Sequence, residues 1–182
     1  MHLHADRLHL SPSDVTAFLA CEHLTTLSLA LARGELERPE VENEQAELIF
    51  RKGIEHERAY LESLRADGLT VLEIDDPRGD YEGAARTTAD AIRAGEFDVI
   101  YQGVLADDGW RGVADFLLRQ PDGTYEALDT KLAHSAKPAY ILQLLFYSDE
   151  LARIQRPADR KIHVLLGSGE QVTFDPRERT RR

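Results

Sequence analysis

An aspartate and a lysine stand two residues apart near the end of a predicted strand, Thr124–Lys131. Because side chains alternate between the two faces of a strand, Asp129 and Lys131 share one face. A carboxylate can bind a metal ion, and a neighbouring ammonium can orient water or stabilise charge that develops on a phosphate. The same spacing is common in surface ion pairs, so the pair alone leaves both interpretations open.

A second carboxylate lies in the preceding predicted strand. Asp115 stands among apolar residues that include Val113 and Phe116, and burial of a carboxylate is costly unless it is paired or bound to a metal. If the two strands are neighbours joined by the turn at 121–123, Asp115 and Asp129 converge. Two carboxylates, with water and a substrate phosphate, form a site typical of Mg²⁺ or Mn²⁺. The alternative is an isolated buried ion pair.

Two predicted helices offer further polar side chains. His56, in the predicted helix Glu44–Ala66, supplies an imidazole that is either a third metal ligand or a structural histidine. Gln143 and Tyr147 lie one turn apart on a later helix, where they can contact substrate or bond to each other. Gly53 lowers the stability of the first of these helices, which predicts close approach of another group to its backbone.

The elements that must position these residues are mixed. Ser11-Pro12-Ser13-Asp14 has the hydroxyl, proline and carboxylate of a helix start, and predicts a helix over about 12–32 that is interrupted near Glu22-His23. The helix at 44–66 ends before the stop signal Asp67-Gly68. The remaining predicted elements are a strand at 69–74, a helix at 81–94, strands at 97–105, 110–119 and 124–131, a helix at 138–154, and strands at 161–166 and 171–174.

These elements predict an α/β (α+β) fold, with a central mixed sheet that contains an antiparallel meander and is flanked by helices. Residues 1–43 form an N-terminal helical segment, residues 44–175 a core, and residues 176–182 a polar, flexible tail.

Four motifs in this order resemble the nuclease domain of the RecB family, a branch of the PD-(D/E)xK superfamily that includes AddB-type and CRISPR-associated exonucleases. The motifs are Gly53-x-x-His56, Gly112-x-x-Asp115, Asp129-Thr130-Lys131 and Gln143-x-x-x-Tyr147. The resemblance covers about 44–166. The segments 11–14, 98–102 and 129–137 further resemble the N-terminal part of a bacterial group of RecB-like nucleases.

The resemblance implies a restriction-endonuclease-like core and a role for each motif residue. The implied metal ligands are His56, Asp115, Asp129 and the carbonyl of Thr130. The implied catalytic residues are Asp115, Asp129 and Lys131, and the implied substrate contacts are Gln143, Tyr147 and Lys137. The implied cofactor is Mg²⁺ or Mn²⁺.

The chain departs from the family pattern in two ways. Thr130 stands where the third motif usually carries an aromatic residue, which predicts altered packing beneath the site. Relatives that hold a [4Fe–4S] cluster use one upstream and three downstream cysteines, and Cys21 matches only the upstream one. Because the cluster needs four ligands, this chain alone cannot form it. Cys21 is therefore either a cluster ligand in a longer form of the protein or a buried apolar residue.

Acidic residues outnumber basic ones in the 182-residue chain. Lys and Arg number 22 against 33 Asp and Glu, and the net charge of −11 argues against a protein that coats polyanions generally. Contact with DNA, the implied partner, is therefore expected to be local, with a helicase domain or subunit supplying affinity. The basic residues available for it are Lys131, His134, Lys137, Arg153, Arg156, Arg160, Lys161, Arg177, Arg179, Arg181 and Arg182.

The compartment expected from the sequence is the cytoplasm. A single cysteine excludes an internal disulfide framework and fits a reducing environment. No stretch approaches the roughly 20 apolar residues of a membrane span, so no membrane partner is expected. The functional hypothesis is a metal-dependent DNA nuclease, an exonuclease in DNA repair, recombination or defence. The alternatives are a catalytically silent module of the same fold that binds DNA or a partner protein, and a nuclease that acts on RNA.

Overall fold

The computed structural model describes residues 1–4, 7–39, 43–77, 80–107, 109–156 and 161–177. Five helices and eight strands lie within this part of the chain. The helices are α1 (Pro12–Ala20), α2 (Glu22–Ala32), α3 (Glu44–Ala66), α4 (Tyr81–Ala94) and α5 (Pro138–Ile154). The strands are β1 (His2–His4), β2 (Arg7–His9), β3 (Val71–Glu73), β4 (Val99–Asp107), β5 (Trp110–Arg119), β6 (Tyr125–Lys131), β7 (Ile162–Leu166) and β8 (Gln171–Phe174).

The helix boundaries follow from capping residues. Asn43 accepts a hydrogen bond from the Ala46 amide at 3.0 Å and starts α3, as Asp80 does for α4. Helix α4 ends at Gly95, whose φ of 64° is the left-handed conformation that glycine adopts at a helix end. The predicted interruption of the N-terminal helix is confirmed, and it falls at Cys21.

Six strands form one mixed sheet in the order β3-β4-β5-β6-β7-β8. The pairs β3–β4 and β6–β7 are parallel, and the other three pairs are antiparallel. The predicted meander β4–β5–β6 and the mixed sheet flanked by helices are therefore confirmed. The connection from β6 to the parallel strand β7 runs through α5, as parallel pairing requires.

The N-terminal hairpin β1–β2 was not among the predicted elements. Its two three-residue strands pair antiparallel. The arm then continues to the tip of the β4–β5 hairpin, where the Leu10 amide donates to Gly109 O at 2.8 Å and the Arg111 amide donates to Leu10 O at 2.9 Å. Strands of three residues are too short to show a clear alternation of apolar and polar residues. They are stabilised by their pairing partners more than by their own sequence.

The core lies on both faces of the six-stranded sheet. On one face, Ile92 of α4 and Leu144 of α5 belong to the same buried cluster as Ile100. On the other face, Leu61 of α3 packs in a second cluster with Phe116. The sheet is thus the middle layer, with α3 on one side and α4 and α5 on the other.

Strand β4 changes course at Gln102. Its φ of 56° makes it the one non-glycine residue with positive φ among those described. Ile100 belongs to the cluster on the α4 and α5 face, and a Cβ at Gly103 would meet Leu117 and Thr88 on that same face. Residues three apart therefore face one way, so the side-chain alternation slips at Gln102. The bend lies between two ladder pairs, at the level of Asp115 on the adjacent strand.

Helices α1 and α2 leave apolar side chains uncovered. Helix α2 contains no buried residue, and Leu19 of α1 is 63% exposed. Cys21, between the helices, has extended backbone and an exposed side chain. The interpretation of Cys21 as a buried apolar residue is therefore wrong, because it lies at a junction that little else packs against.

None of the helices in the described ranges combines the length and the apolar character that a membrane crossing needs. The tail expected at 176–182 is described only as far as Arg177, and 178–182 lie outside the described residues.

Candidate functional site

Two aspartates meet at the bend of the sheet. The antiparallel register pairs Phe116 with Leu128, so the next positions along the two strands, Asp115 and Asp129, lie opposite each other. The two carboxyl groups lie within electrostatic reach of each other, since Asp115 raises the pKa of Asp129. The structure thus brings together the two carboxylates that the sequence placed on neighbouring strands.

Thr130 fixes the Asp115 carboxylate. Both its amide and its hydroxyl donate to Asp115 Oδ2, at 2.9 and 3.0 Å. A residue with a hydroxyl on Cβ is needed for the second bond, which an aromatic side chain at this position could not make. The observed contribution of Thr130 is therefore to orient a carboxylate across the strand pair.

Asp129 is buried, with only 1% of its surface exposed. Lys131 Nζ lies 2.6 Å from Asp129 Oδ2 as an ion pair. Gln143 Nε2 donates to the other oxygen, Oδ1, at 3.2 Å. One carboxylate oxygen is therefore oriented by an amide, while the second has only the lysine charge beside it.

The buried charges perturb each other. Burial and the adjacent Asp115 raise the pKa of Asp129 to about 7, against the lowering effect of Lys131. Burial lowers the pKa of Lys131, but the Asp129 and Asp115 carboxylates outweigh that effect and place its pKa above the usual value. At neutral pH, Lys131 is therefore charged, and Asp129 changes protonation state in the working range of most enzymes.

Tyr147 supports the site from below. Its hydroxyl donates to Val113 O at 2.7 Å and lies 3.3 Å from Gln143 Nε2, which can donate to it. A Cβ at Gly112 would lie 2.7 Å from Tyr147 Cε1, so only glycine leaves room for this ring. Gln143 and Tyr147 thus form a chain of contacts from β5 to Asp129, in which Gln143 reaches the carboxylate directly.

Helix α3 contributes Glu57, which was absent from the predicted site. Its carboxylate accepts a hydrogen bond from Gln102 Nε2 at the bend. Burial and the Asp115 charge raise the pKa of Glu57, whereas Lys131 lowers it, so Glu57 lies within the electrostatic reach of both. The sequence signal is its spacing: Leu61 and Leu64 follow at i+4 and i+7, which predicts that Glu57 faces the sheet.

His56 lies beside Glu57 on α3. Its Nε2 is buried without a hydrogen-bond partner among the described residues, and its role as a metal ligand stays a prediction. In the described ranges, no group of three His, Cys, Asp or Glu side chains could hold a metal ion. Gly53, one turn earlier, has no heavy atom within 4 Å of a built Cβ, so the chain itself does not make the predicted close approach.

The donor set of Asp115 and Asp129 fits a hard divalent cation. Two adjacent carboxylates, one of them buried, concentrate negative charge in one place. Mg²⁺ is commonly held by one or two carboxylates and keeps several waters. The residues therefore fit an ion bound by two carboxylates and water, and His56 stays a predicted further ligand.

The basic residues predicted to contact DNA are dispersed. Arg153 forms ion pairs with Asp107 and Glu150. Lys137 is exposed at the start of α5. Arg160 and the tail arginines Arg179, Arg181 and Arg182 lie outside the described residues. Among the described residues of this set, Lys131 forms an ion pair with the acidic site. Its Nζ also lies 5.4 Å from the Tyr140 ring centroid.

Comparisons of this chain with protein-family models, curated proteins and solved structures gave no match. The function is therefore argued from the residues of the site.

Proposed function

We propose that this chain is a divalent-metal-dependent deoxyribonuclease with a PD-(D/E)xK core of the RecB type. The observation that carries the proposal is the cluster of Asp115, Asp129 and Lys131, in which two carboxylates meet and the buried one lies 2.6 Å from a single ammonium. Two carboxylates with one ammonium leave negative charge that a bound cation would balance.

Asp115 and Asp129 would hold Mg²⁺ or Mn²⁺, which supplies charge stabilisation to a phosphodiester and makes water more acidic. Thr130 and Gln143 orient these two carboxylates, so the ligands do not have to reorganise when substrate binds. The carbonyl of Thr130 is proposed as a further ligand of that ion.

Lys131 acts through its charge. Because Asp129 and Asp115 raise its pKa, its ammonium stays protonated at neutral pH and can donate to a phosphate oxygen as negative charge develops. The raised pKa of Glu57 suits this side chain to accepting a proton from attacking water, since a base works best with a pKa nearer the working pH. The chain thus divides charge stabilisation and proton acceptance between two residues.

DNA is proposed as the substrate, and a helicase domain or subunit as the source of affinity. The support is the charge distribution: the net charge is −11, and Arg153 and Arg177 are engaged with carboxylates of their own chain. Few cations are left to track a phosphate backbone, and non-specific affinity for DNA depends on such contacts.

The test is cleavage of end-labelled single- and double-stranded DNA with Mg²⁺ or Mn²⁺. Wild type is expected to cleave, whereas Asp129→Asn and Lys131→Met are expected to be inactive. Asp75→Asn, which removes an exposed carboxylate, serves as the matched control. For Glu57→Gln, the control is Glu55→Gln on the exposed side of the same helix.

A second readout is independent of turnover. Mg²⁺ is expected to raise the Tm of wild type at pH 8, and Asp129→Asn is expected to lose that shift. Folded wild type that cleaves neither DNA nor RNA with any divalent metal would favour a silent module that binds DNA or a partner protein. Cleavage of RNA alone would replace the substrate, and activity that survives in Asp129→Asn would overturn the site.

A further inference from the structure

A cleft of about 860 Å³ lies between α4, the tip of the β4–β5 hairpin and strand β2. Its volume is within the range of about 300–1,000 Å³ that small-molecule sites occupy. Its lining contains none of the residues of the acidic site. The basic side chains in the lining are Arg7, His9, Arg86, Arg93 and Arg111.

Arg111 is positioned in this cleft by two neighbours. Its backbone pairs with Ala106 across the hairpin and donates to Leu10 O at 2.9 Å on the other side. Its guanidinium carbon lies 4.2 Å from the centroid of the Tyr81 ring. The Nε atom is buried and has no hydrogen-bond partner among the described residues. A guanidinium that is stacked on a ring and lines a cleft without a carboxylate partner can receive an anionic ligand there.

The acidic residues of the lining are largely occupied. Asp90 pairs with Arg93 at 3.2 Å, Asp107 pairs with Arg153, and Asp80 caps the start of α4. These three carboxylates therefore compensate no other arginine of the cleft.

Arg86 and Arg111 have no carboxylate in ion-pair contact within the described ranges. Glu82, exposed in the first turn of α4, is the remaining acidic residue of the lining. Burial and the nearby Arg111 lower the pKa of His2, which is consistent with positive potential at this end of the molecule. The lining holds four arginines and four carboxylates, so its overall charge is balanced, and the cleft offers an anion the guanidinium groups of Arg86 and Arg111 rather than a general excess of positive charge.

We propose that this cleft binds a phosphate monoester, held by Arg111 and Arg86. A guanidinium presents several donors in one plane and matches phosphate oxygens in pairs, so two arginines can share one phosphate. The remaining volume accommodates an organic group of nucleoside size beside it. The phosphate comes either from a free mononucleotide or from the 5′ end of a nucleic-acid strand. This binding is independent of the proposed cleavage reaction.

Calorimetric titration of the full chain tests the proposal, with EDTA present so that the acidic site holds no metal. Deoxyadenosine 5′-monophosphate is expected to bind saturably, and deoxyadenosine is expected not to bind. Arg111→Gln and Arg86→Gln are each expected to weaken binding by about tenfold or more. Arg65→Gln, which removes an exposed arginine on α3, is expected to leave binding unchanged.

A second arm identifies the source of the phosphate. A short oligothymidylate with a 5′-phosphate is compared with the same strand ending in a 5′-hydroxyl. Tighter binding of the phosphorylated strand assigns the cleft to strand ends, and binding of the mononucleotide alone assigns it to free nucleotides. Failure of both phosphorylated probes to bind at millimolar concentration would overturn the proposal, as would equal binding of the nucleoside. Unchanged affinity in Arg86→Gln, an exposed residue whose replacement leaves the core intact, would do the same.

Discussion

Strand β6 carries two buried carboxylates three residues apart, and they are treated in opposite ways. A hydrogen bond of 2.8 Å joins the Glu126 carboxyl group to His163 Nε2. On the other side of the ring, His163 Nδ1 lies 2.9 Å from Thr173 Oγ1. These three polar groups on β6, β7 and β8 satisfy one another. Asp129 instead faces a second carboxylate, and Lys131 is its ion-pair partner. Only the second arrangement has two carboxylates for one cation.

The difference teaches how to separate structural from functional polar groups inside a sheet. Burial alone does not distinguish them, because Glu126 and Asp129 are 6% and 1% exposed. The distinguishing property is whether the charges of the cluster are balanced within the chain. A satisfied cluster contributes to stability, whereas an unsatisfied one reduces stability in exchange for the ability to bind something.

The largest expected effect separates the two clusters by activity. Asp129→Asn is expected to lower kcat/KM for DNA cleavage by about 10²–10³-fold or more, because it removes a proposed ligand of the metal ion that stabilises charge on the reacting phosphate. Glu126→Gln is expected to change kcat/KM by less than about threefold, since the hydrogen bond of Glu126 is to His163, outside the acidic site. Equal losses in the two variants would break the comparison.

The second expected effect separates them by stability. His163→Leu leaves Glu126 buried without its partner, and is expected to lower the free energy of unfolding by about 2–5 kcal/mol. Urea denaturation measures the loss, and Gln171→Leu, which removes a longer contact to the same ring, is the control. A loss below that of the control would show that Glu126 finds solvation elsewhere.

The third expectation concerns pH, in metal-free protein. Folded Asp129 keeps its proton up to about pH 7, whereas an unfolded aspartate loses it near pH 4. Folding therefore takes up a proton between these values, and the stability from neutral Asp129 is full below about pH 4 and lost as the pH rises through about 7. Asp129→Asn imitates the neutral form, so it is expected to exceed wild type in stability at pH 8 by on the order of 1–3 kcal/mol.

Thermal unfolding at a series of pH values, with EDTA, checks this expectation. The difference between wild type and Asp129→Asn should shrink steadily towards pH 4. A wild type that is more stable than Asp129→Asn at pH 8 would mean that Lys131 fully compensates the buried charge.

The smallest expected effect tests the support of the site. Thr130→Val removes the hydroxyl bond to Asp115 but keeps the amide bond, so a loss of about 1 kcal/mol in stability is expected. Cleavage is expected to fall by about tenfold, because the carboxylate is less well oriented. Thr130→Ser retains the hydroxyl and should restore the rate. A Ser variant no better than Val would assign the effect to packing of the methyl group.

Local signals made much of the fold predictable. The bounds of α3, α4 and α5 follow from a capping or proline residue at the start and, for α3 and α4, a glycine after the end. The convergence of Asp115 and Asp129 followed from the short turn between their strands, since a tight turn makes consecutive strands neighbours.

The rest depended on packing that no local signal carries. Which residue of the pair His56-Glu57 turns towards the sheet is decided by the orientation of α3 about its axis, and the structure places Glu57 there. The positive φ at Gln102 is equally hidden, because glutamine has no preference for that conformation. The exposure of Cys21 reflects how little covers α1 and α2.

The join between Leu10 and the hairpin tip has a consequence for the order of folding. It connects backbone groups about 100 residues apart in sequence through the bonds of Leu10 with Gly109 and Arg111. Such a contact forms only after the hairpin exists, and it pays the entropy of closing a long loop. The amides of Leu10 and Arg111 should therefore exchange with solvent faster than those in the middle of β6. The wall of the arginine-lined cleft is accordingly among the last parts of the molecule to assemble and among the first to open.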